Sequence, residues 1–217
     1  MPGDPVSGVV PTTLGPVLLL IGLSVATYGN ALHGGFHIDD EFRIVTNAGI
    51  RQVHPLWRHF VDPGTMSSVH FLVGFRPLLP LTLSLNHAIS PDATWSYHVL
   101  NIALLLGAAV LFFYSARVLL DHSGEGSQGS RQTVALVAAA LLVVHPISGF
   151  TVNYLSNRDV GLMNLFMVGA VLAFAQLRRE GAARSMRLAW WGLALTCAAL
   201  SMLRKQNGLA LVPLIWS

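Results

Sequence analysis

Apolar runs of nearly bilayer length, parted by polar stretches, constrain this chain more than any other feature of its sequence. The first covers about residues 14–32 and contains no charged side chain. As a helix rising about 1.5 Å per residue it can span a hydrocarbon core of about 30 Å. A cleaved leader is the competing reading, but Met1 to Pro16 holds no lysine or arginine, and no small-x-small site precedes the polar residues that follow. An uncleaved span is therefore expected. Similar runs recur at about 96–120, 133–149, 160–177 and 188–203, and a sixth begins at Gly208 and reaches only Ser217, too short to cross a bilayer. The expectation is an all-α integral membrane protein with five full spans and a truncated sixth, residues 1–217 forming one N-terminal membrane domain of a longer protein.

Charge supports that class and excludes another. Charged residues make up 11% of the chain, against about 25% in soluble domains. The net charge of +3 comes almost entirely from arginine, Lys205 being the one lysine, and no basic run interleaved with aromatics is present, so the partner is a lipid bilayer rather than a nucleic acid. The preference for arginine points to a bacterial genome rich in G and C. Cys197 is alone, so no internal disulfide forms. The connectors that lie inside when the N-terminus is cytoplasmic carry Arg117, Arg131, Arg178, Arg179, Arg184 and Arg187; the short outer ones carry Arg158, Arg204 and Lys205. The positive-inside rule then places the N-terminus in the cytoplasm and loop 33–95 on the periplasmic side of an inner membrane.

Loop 33–95 is the one long polar segment. Within it Phe71 to Ile89 is apolar but interrupted by Arg76, Pro77 and Pro80, and Leu78, Leu81, Leu85 and Ile89 recur at helical spacing. A helix lying in the membrane interface fits better than one crossing it. Elsewhere, Gly124, Gly126 and Gly129 with neighbouring serines mark a flexible connector. Proline removes a backbone donor and disfavours helix at the residue before it, so the third helix should stop at His145-Pro146, with 151–159 a short polar reversal.

Just past the first span stand three consecutive carboxylates, Asp39, Asp40 and Glu41. A carboxylate at a membrane surface can act as a general base. The plainer reading is a solvated turn capping a helix that starts near Phe42. A divalent cation held by the triplet is a third reading; no fixed ligand spacing supports it, and no metal site is assigned. Arg76, at the start of the interfacial helix, suits a lipid-linked phosphate through paired hydrogen bonds, or is an ordinary snorkelling anchor. Arg158, Arg204 and Lys205 lie where the charge rule would not put them, which marks them as functional candidates or as partners of anionic head groups.

Four ordered motifs carry a family resemblance. Phe36-x-x-Asp39-Asp40-x-x-x-Ile44-Val45-x-Asn47 comes first, then Phe75-Arg76-Pro77-Leu78 with Asn86, Tyr97-His98-Val99-Leu100-Asn101, and His145-Pro146-Ile147. Together they resemble the transmembrane and tetratricopeptide-repeat glycosyltransferases, relatives of the protein O-mannosyltransferases in the GT-C superfamily. The resemblance implies a GT-C-like helical bundle whose long outer loop carries interfacial helices. It implies an inverting transfer of sugar from a polyprenyl-phosphate donor to a protein or glycan hydroxyl. It makes Asp39 and Asp40 the catalytic pair, Arg76, Arg158, Arg204 and Lys205 the phosphate side, and Asn47, His98, Asn101 and His145 supporting residues. Phe150 and Gln206 stand where the family usually has acids, and Asp159 is displaced by one position; the alternative is a catalytically silent scaffold of the same fold.

Overall fold

A computed structural model of the chain describes residues 14–69, 75–91, 93–178 and 183–202. Among these the fold is all-helical, with no strand. Helix α1 is Leu14–Tyr28, α2 Arg58–Val61, α3 Leu78–Ile89, α4 Trp95–Ser123, α5 Gln128–Val144, α6 Pro146–Asn153, α7 Arg158–Leu177 and α8 Arg184–Met202. Three stretches are long and apolar enough to cross a membrane: 14–33, 95–123 and 155–177. The pair α5–α6, bent by 53°, makes a fourth if it counts as one span. The expected sixth run lies outside the described residues.

Helix α4 is the centre of the bundle. It packs on α1 and α5 along one side and on α7 along another, and α7 in turn packs on α8. In lipid, apolar burial gives little drive for helix association, and close approach through small side chains takes over. The contacts follow that rule. Ala109, Ala135 and Ala139 are fully buried between α4 and α5, beside Leu20, Tyr28 and Phe113. Ala170 of α7 meets Ala198 of α8. Gly107 lets α4 approach α7 closely: a Cβ there would lie 3.0 Å from Leu165 Cδ1, so that side chain would have to shift by a few tenths of an ångström. Gly124 ends α4 in the left-handed conformation, φ +70°, that such a cap needs.

The third apolar run does not continue to 149 as one helix. Pro146 offers no N–H to the carbonyl of Leu142, and the Ser148 hydroxyl donates to that oxygen instead at 2.6 Å. The Ile147 N–H turns away to His145 Nδ1, 3.2 Å, leaving the Val143 carbonyl to accept from the Tyr28 hydroxyl at 2.7 Å. His145 thus ends α5 and caps α6, with Pro146 in the first turn, where proline is tolerated. The expected reversal at 151–159 is correspondingly shorter: α6 runs to Asn153, a 3-10 turn covers Leu155–Asn157, and α7 starts at Arg158.

The described residues of loop 33–95 fold into a small cap over this same end of the bundle. Its core is Ile44, Ile50, Leu79 and Leu83, packed on Tyr97 and Leu155. Gly49 is pressed against the Thr65 segment so closely that a Cβ would come within 2.6 Å of Thr65 Cα. Helix α3, the expected interfacial helix, contacts α4 and α7 from within this cap.

Candidate active site

The acidic triplet does not cap a helix from Phe42. Residues Glu41–Val45 form a single π-helical turn, closed by the Thr46 N–H to the Glu41 carbonyl at 2.8 Å, and Asp40 before it makes no side-chain cap bond to that turn. Such wide turns recur at functional sites. Ser68 N–H donates to the Phe42 carbonyl at 2.9 Å, so the turn is fixed from the side as well.

The two aspartates have opposite surroundings. Asp40 is fully buried. Its Oδ2 accepts the His37 N–H at 2.9 Å, and its Oδ1 accepts the Ser156 N–H at 2.7 Å from the turn between α6 and α7. Asp40, expected as one half of the catalytic pair, thus has each oxygen engaged by a backbone N–H and no exposed surface. Asp39 is exposed and lines a crevice of about 130 Å³ with Phe42, Arg43 and Ser67.

Arg43 was not among the sequence candidates. Its partly buried guanidinium lowers its own basicity through desolvation first, and the nearby Arg76 pushes in the same direction; Asp159, Asp39 and Asp40 oppose the shift. Being arginine, it remains cationic. The sequence signal that could have found it is the four-residue spacing from Asp39, which one helical turn places on a common side.

The other cations divide. Arg76 donates from Nη1 to Asp159 Oδ2 at 2.7 Å, and Asp159 Oδ1 accepts the Val160 N–H at the start of α7, where a carboxylate also suits the helix dipole. The Arg76 side chain keeps 24% exposure against 3% for Asp159. Arg158, expected on the phosphate side, is wholly buried. Its Nε donates to Asn101 Oδ1 at 2.8 Å, Nη1 to the Thr82 carbonyl at 3.0 Å and Nη2 to the Tyr97 carbonyl at 3.1 Å, with the Tyr97 ring under the guanidinium. It ties α3, α4 and α7 together rather than facing solvent. Arg204 and Lys205 lie outside the described residues, as does Gln206.

The supporting residues are all bound into the frame. Asn47 donates to the Arg43 and Thr65 carbonyls and accepts the Gly49 N–H. Asn101 Nδ2 donates to the Thr151 carbonyl, and His98 Nδ1 lies 3.1 Å from the Val152 carbonyl, so both hold α4 to α6. Phe150 is exposed and stacks on Tyr154, which stacks on His37. His33 and His37 stand four residues apart, yet the chain between them leaves its 3-10 turn at Gly34, so they do not share a helical face. Among the described residues no three histidine, cysteine or acidic side chains gather into a metal-holding group. Beneath the site, α4, α5, α6 and α7 enclose an apolar groove of about 250 Å³ whose lining includes Phe112, Leu142, Ile147 and Met167, with Asn164 its amide-bearing member.

No family model and no solved structure matches the chain. Curated proteins do. The chain is 30% identical over 201 residues to human "Protein O-mannosyl-transferase TMTC3", covering 90% of this chain and 20% of that protein. It is 30% identical over 209 residues to human "Protein O-mannosyl-transferase TMTC4", covering 90% of this chain and 28% of the relative. To "Protein O-mannosyl-transferase F38B6.6" of Caenorhabditis elegans it is 29% identical over 201 residues, 91% of this chain and 27% of the other. The chain therefore spans between a fifth and three tenths of the length of these relatives. Apolar helices of membrane-crossing length and homology over nine-tenths of its residues agree: the chain is related to part of the proteins named TMTC protein O-mannosyl-transferases.

Proposed function

We propose that this chain is the membrane-embedded catalytic part of a protein O-glycosyltransferase that takes its sugar from a polyprenyl-phosphate donor at the outer face of the membrane, with inversion. The observation that carries the reading is the shared crevice of Asp39 and Arg43, an open carboxylate beside an arginine, at the end of the bundle where loop 33–95 meets α7. Asp39 takes the proton from an acceptor hydroxyl as its oxygen bonds to the anomeric carbon. The anomeric carbon–phosphate oxygen bond breaks, and its electron pair leaves with the polyprenyl phosphate. That leaving group is already an anion, so the need is for cations rather than an acid. Arg43 lines the crevice, and Arg76, anchored by Asp159 with about a quarter of its side chain exposed, is near enough to depress the basicity of Arg43. The apolar groove among α4, α5, α6 and α7 suits the prenyl chain. Five crossings, with α8 as the fifth, and a cytoplasmic N-terminus belong to the same reading, supported by Arg178, Arg184 and Arg187 at the end opposite the crevice.

The test is transfer of radiolabelled sugar from polyprenyl phosphate to a hydroxyl-bearing peptide by the full-length protein in lipid nanodiscs. Loss of a general base costs about 10²- to 10⁴-fold, so Asp39→Asn should lower kcat by that factor. Undiminished turnover in Asp39→Asn removes it as the base. No transfer by the wild type under any donor favours the silent scaffold, to which the ring stack at Phe150 and the paired state of Asp159 also lend themselves.

A further inference from the structure

Asp40 lies in the sequence beside the proposed base, yet its geometry assigns it different work. The carboxylate is fully buried and joins two turns 116 residues apart in the chain. One is the turn His37–Asp40, which contains Asp39; the other, Leu155–Asn157, leads directly into Arg158 and Asp159. Asp159 in turn holds Arg76. A single side chain thus sets the placement of the open carboxylate relative to the cations across the crevice.

The first turn needs such a fastening. Ile38 has φ +23°, which a β-branched residue rarely adopts, and its side chain is 77% exposed, so nothing packed around it holds the conformation. Strained residues of this kind persist where surrounding contacts over-determine them. Here those contacts are the Asp40 N–H to the His37 carbonyl at 2.7 Å, the His37 N–H to the Asp40 carboxylate, and the stacking of His37 on Tyr154. The strain falls on the residue immediately before Asp39.

We infer that Asp40 is a positioning residue, stapling the strained turn that carries Asp39 to the turn that opens α7, so that base and phosphate-side cations face one crevice. The inference rests on the proposed role of Asp39, and one arm of its test does not. Asparagine at position 40 keeps one acceptor oxygen and loses the other; alanine loses both.

In the full-length protein in nanodiscs, amide exchange is measured over residues 37–47 and 154–160 together with donor kinetics. Asp40→Asn should raise exchange moderately in both segments and lower kcat/KM about 10-fold, as for one lost hydrogen bond to a charged group. Asp40→Ala should raise exchange further in both and lower kcat/KM about 100-fold, with donor KM rising as well as kcat falling. Asp39→Asn should abolish most of kcat and leave exchange in both segments unchanged. Equal inactivity of Asp40→Asn and Asp39→Asn, with wild-type exchange in both, makes Asp40 a chemical participant and overturns the inference. Unchanged exchange in Asp40→Ala also overturns it. If the wild type transfers no sugar, the proposed function fails, while the exchange comparison still decides whether the staple exists.

Discussion

Two clusters of charge lie at the same end of this bundle and are built on opposite terms. Around Arg158 the identified partners are buried or half-buried: Asn101 and Tyr97, carbonyl and ring, are buried, and Thr82, which lends its carbonyl, is half-buried. Asp40, next to it through Ser156, is equally enclosed. Around the crevice, Asp39 is exposed, Arg43 is partly so, and Arg76 spends one nitrogen on Asp159 while part of it faces out. Buried ions must have their hydrogen-bonding capacity met by the protein, because nothing else is there to meet it. Groups that await a ligand cannot be so fully committed. On the proposed function the difference separates residues that hold the site from those free to act in it, although the two kinds alternate along the sequence: Asp39 is exposed and Asp40 enclosed; Arg76 is partly exposed and Arg158 wholly buried.

The sharpest way to break the contrast is at Arg158. Arg158→Ala leaves oxygens on α4 and α3 without their donor and should destabilise the protein by about 3–5 kcal/mol, read as thermal unfolding in nanodiscs. Arg158→Lys should rescue little, since one ammonium cannot reproduce a planar fork that reaches three oxygens. Full stability in Arg158→Ala would erase the distinction between the clusters. Arg43→Gln is the complementary case: donor KM should rise about 10-fold, with unfolding altered by no more than about 0.5 kcal/mol. A large loss of stability there would move Arg43 into the holding group.

The smallest effect is expected at His59, which is buried in the cap without the saturation Arg158 enjoys. Its Nδ1 makes no hydrogen bond of good geometry, and its Nε2 lies 3.4 Å from Ser84 Oγ. Burial pushes its pKa below the ordinary histidine value; the nearby Val53 and Gln52 backbone and Asp62 oppose the shift, while Arg58 adds to it. The unfolded chain therefore binds a proton that the folded one refuses. Stability from this group is fully present above about pH 6.5 and declines as pH falls from there toward the lower folded value. The protection factors of amides 58–66, which remove the intrinsic slowing of exchange at lower pH, should fall as pH goes from 7.5 to 5.5, and His59→Phe should flatten that fall. A flat profile in the wild type would mean that His59 is not held neutral in the cap.

Much of the frame is readable from residue patterns alone. The apolar runs mark α1, α4 and α7 because length and hydropathy are local properties, and His145-Pro146 marks the break in the third run because a missing N–H is also local. The Pro146 position even announces α6, as proline with a histidine cap before it, a signal that a reading of 133–149 as one span passes over. The inequality of Asp39 and Asp40 is not local. It depends on which of them meets the Ser156 N–H, delivered by a turn far along the chain. The same holds for Arg158, whose burial follows from oxygens on α3 and α4. Arg43 is half legible: its four-residue spacing from Asp39 is local, whereas Ser67, which lines the same crevice, comes from more than twenty residues on.

The Asp40–Ser156 bond also has a history in time. The chain is made from its N-terminus at about 5–20 residues per second, so roughly 6–23 s separate the synthesis of the carboxylate from that of its partner, 116 residues later. Arg76 waits in the same way for Asp159, 83 residues on. During that interval the acidic turn has no staple and the crevice has no shape, so the site is among the last things this membrane protein acquires, assembled only when α7 arrives beside α4.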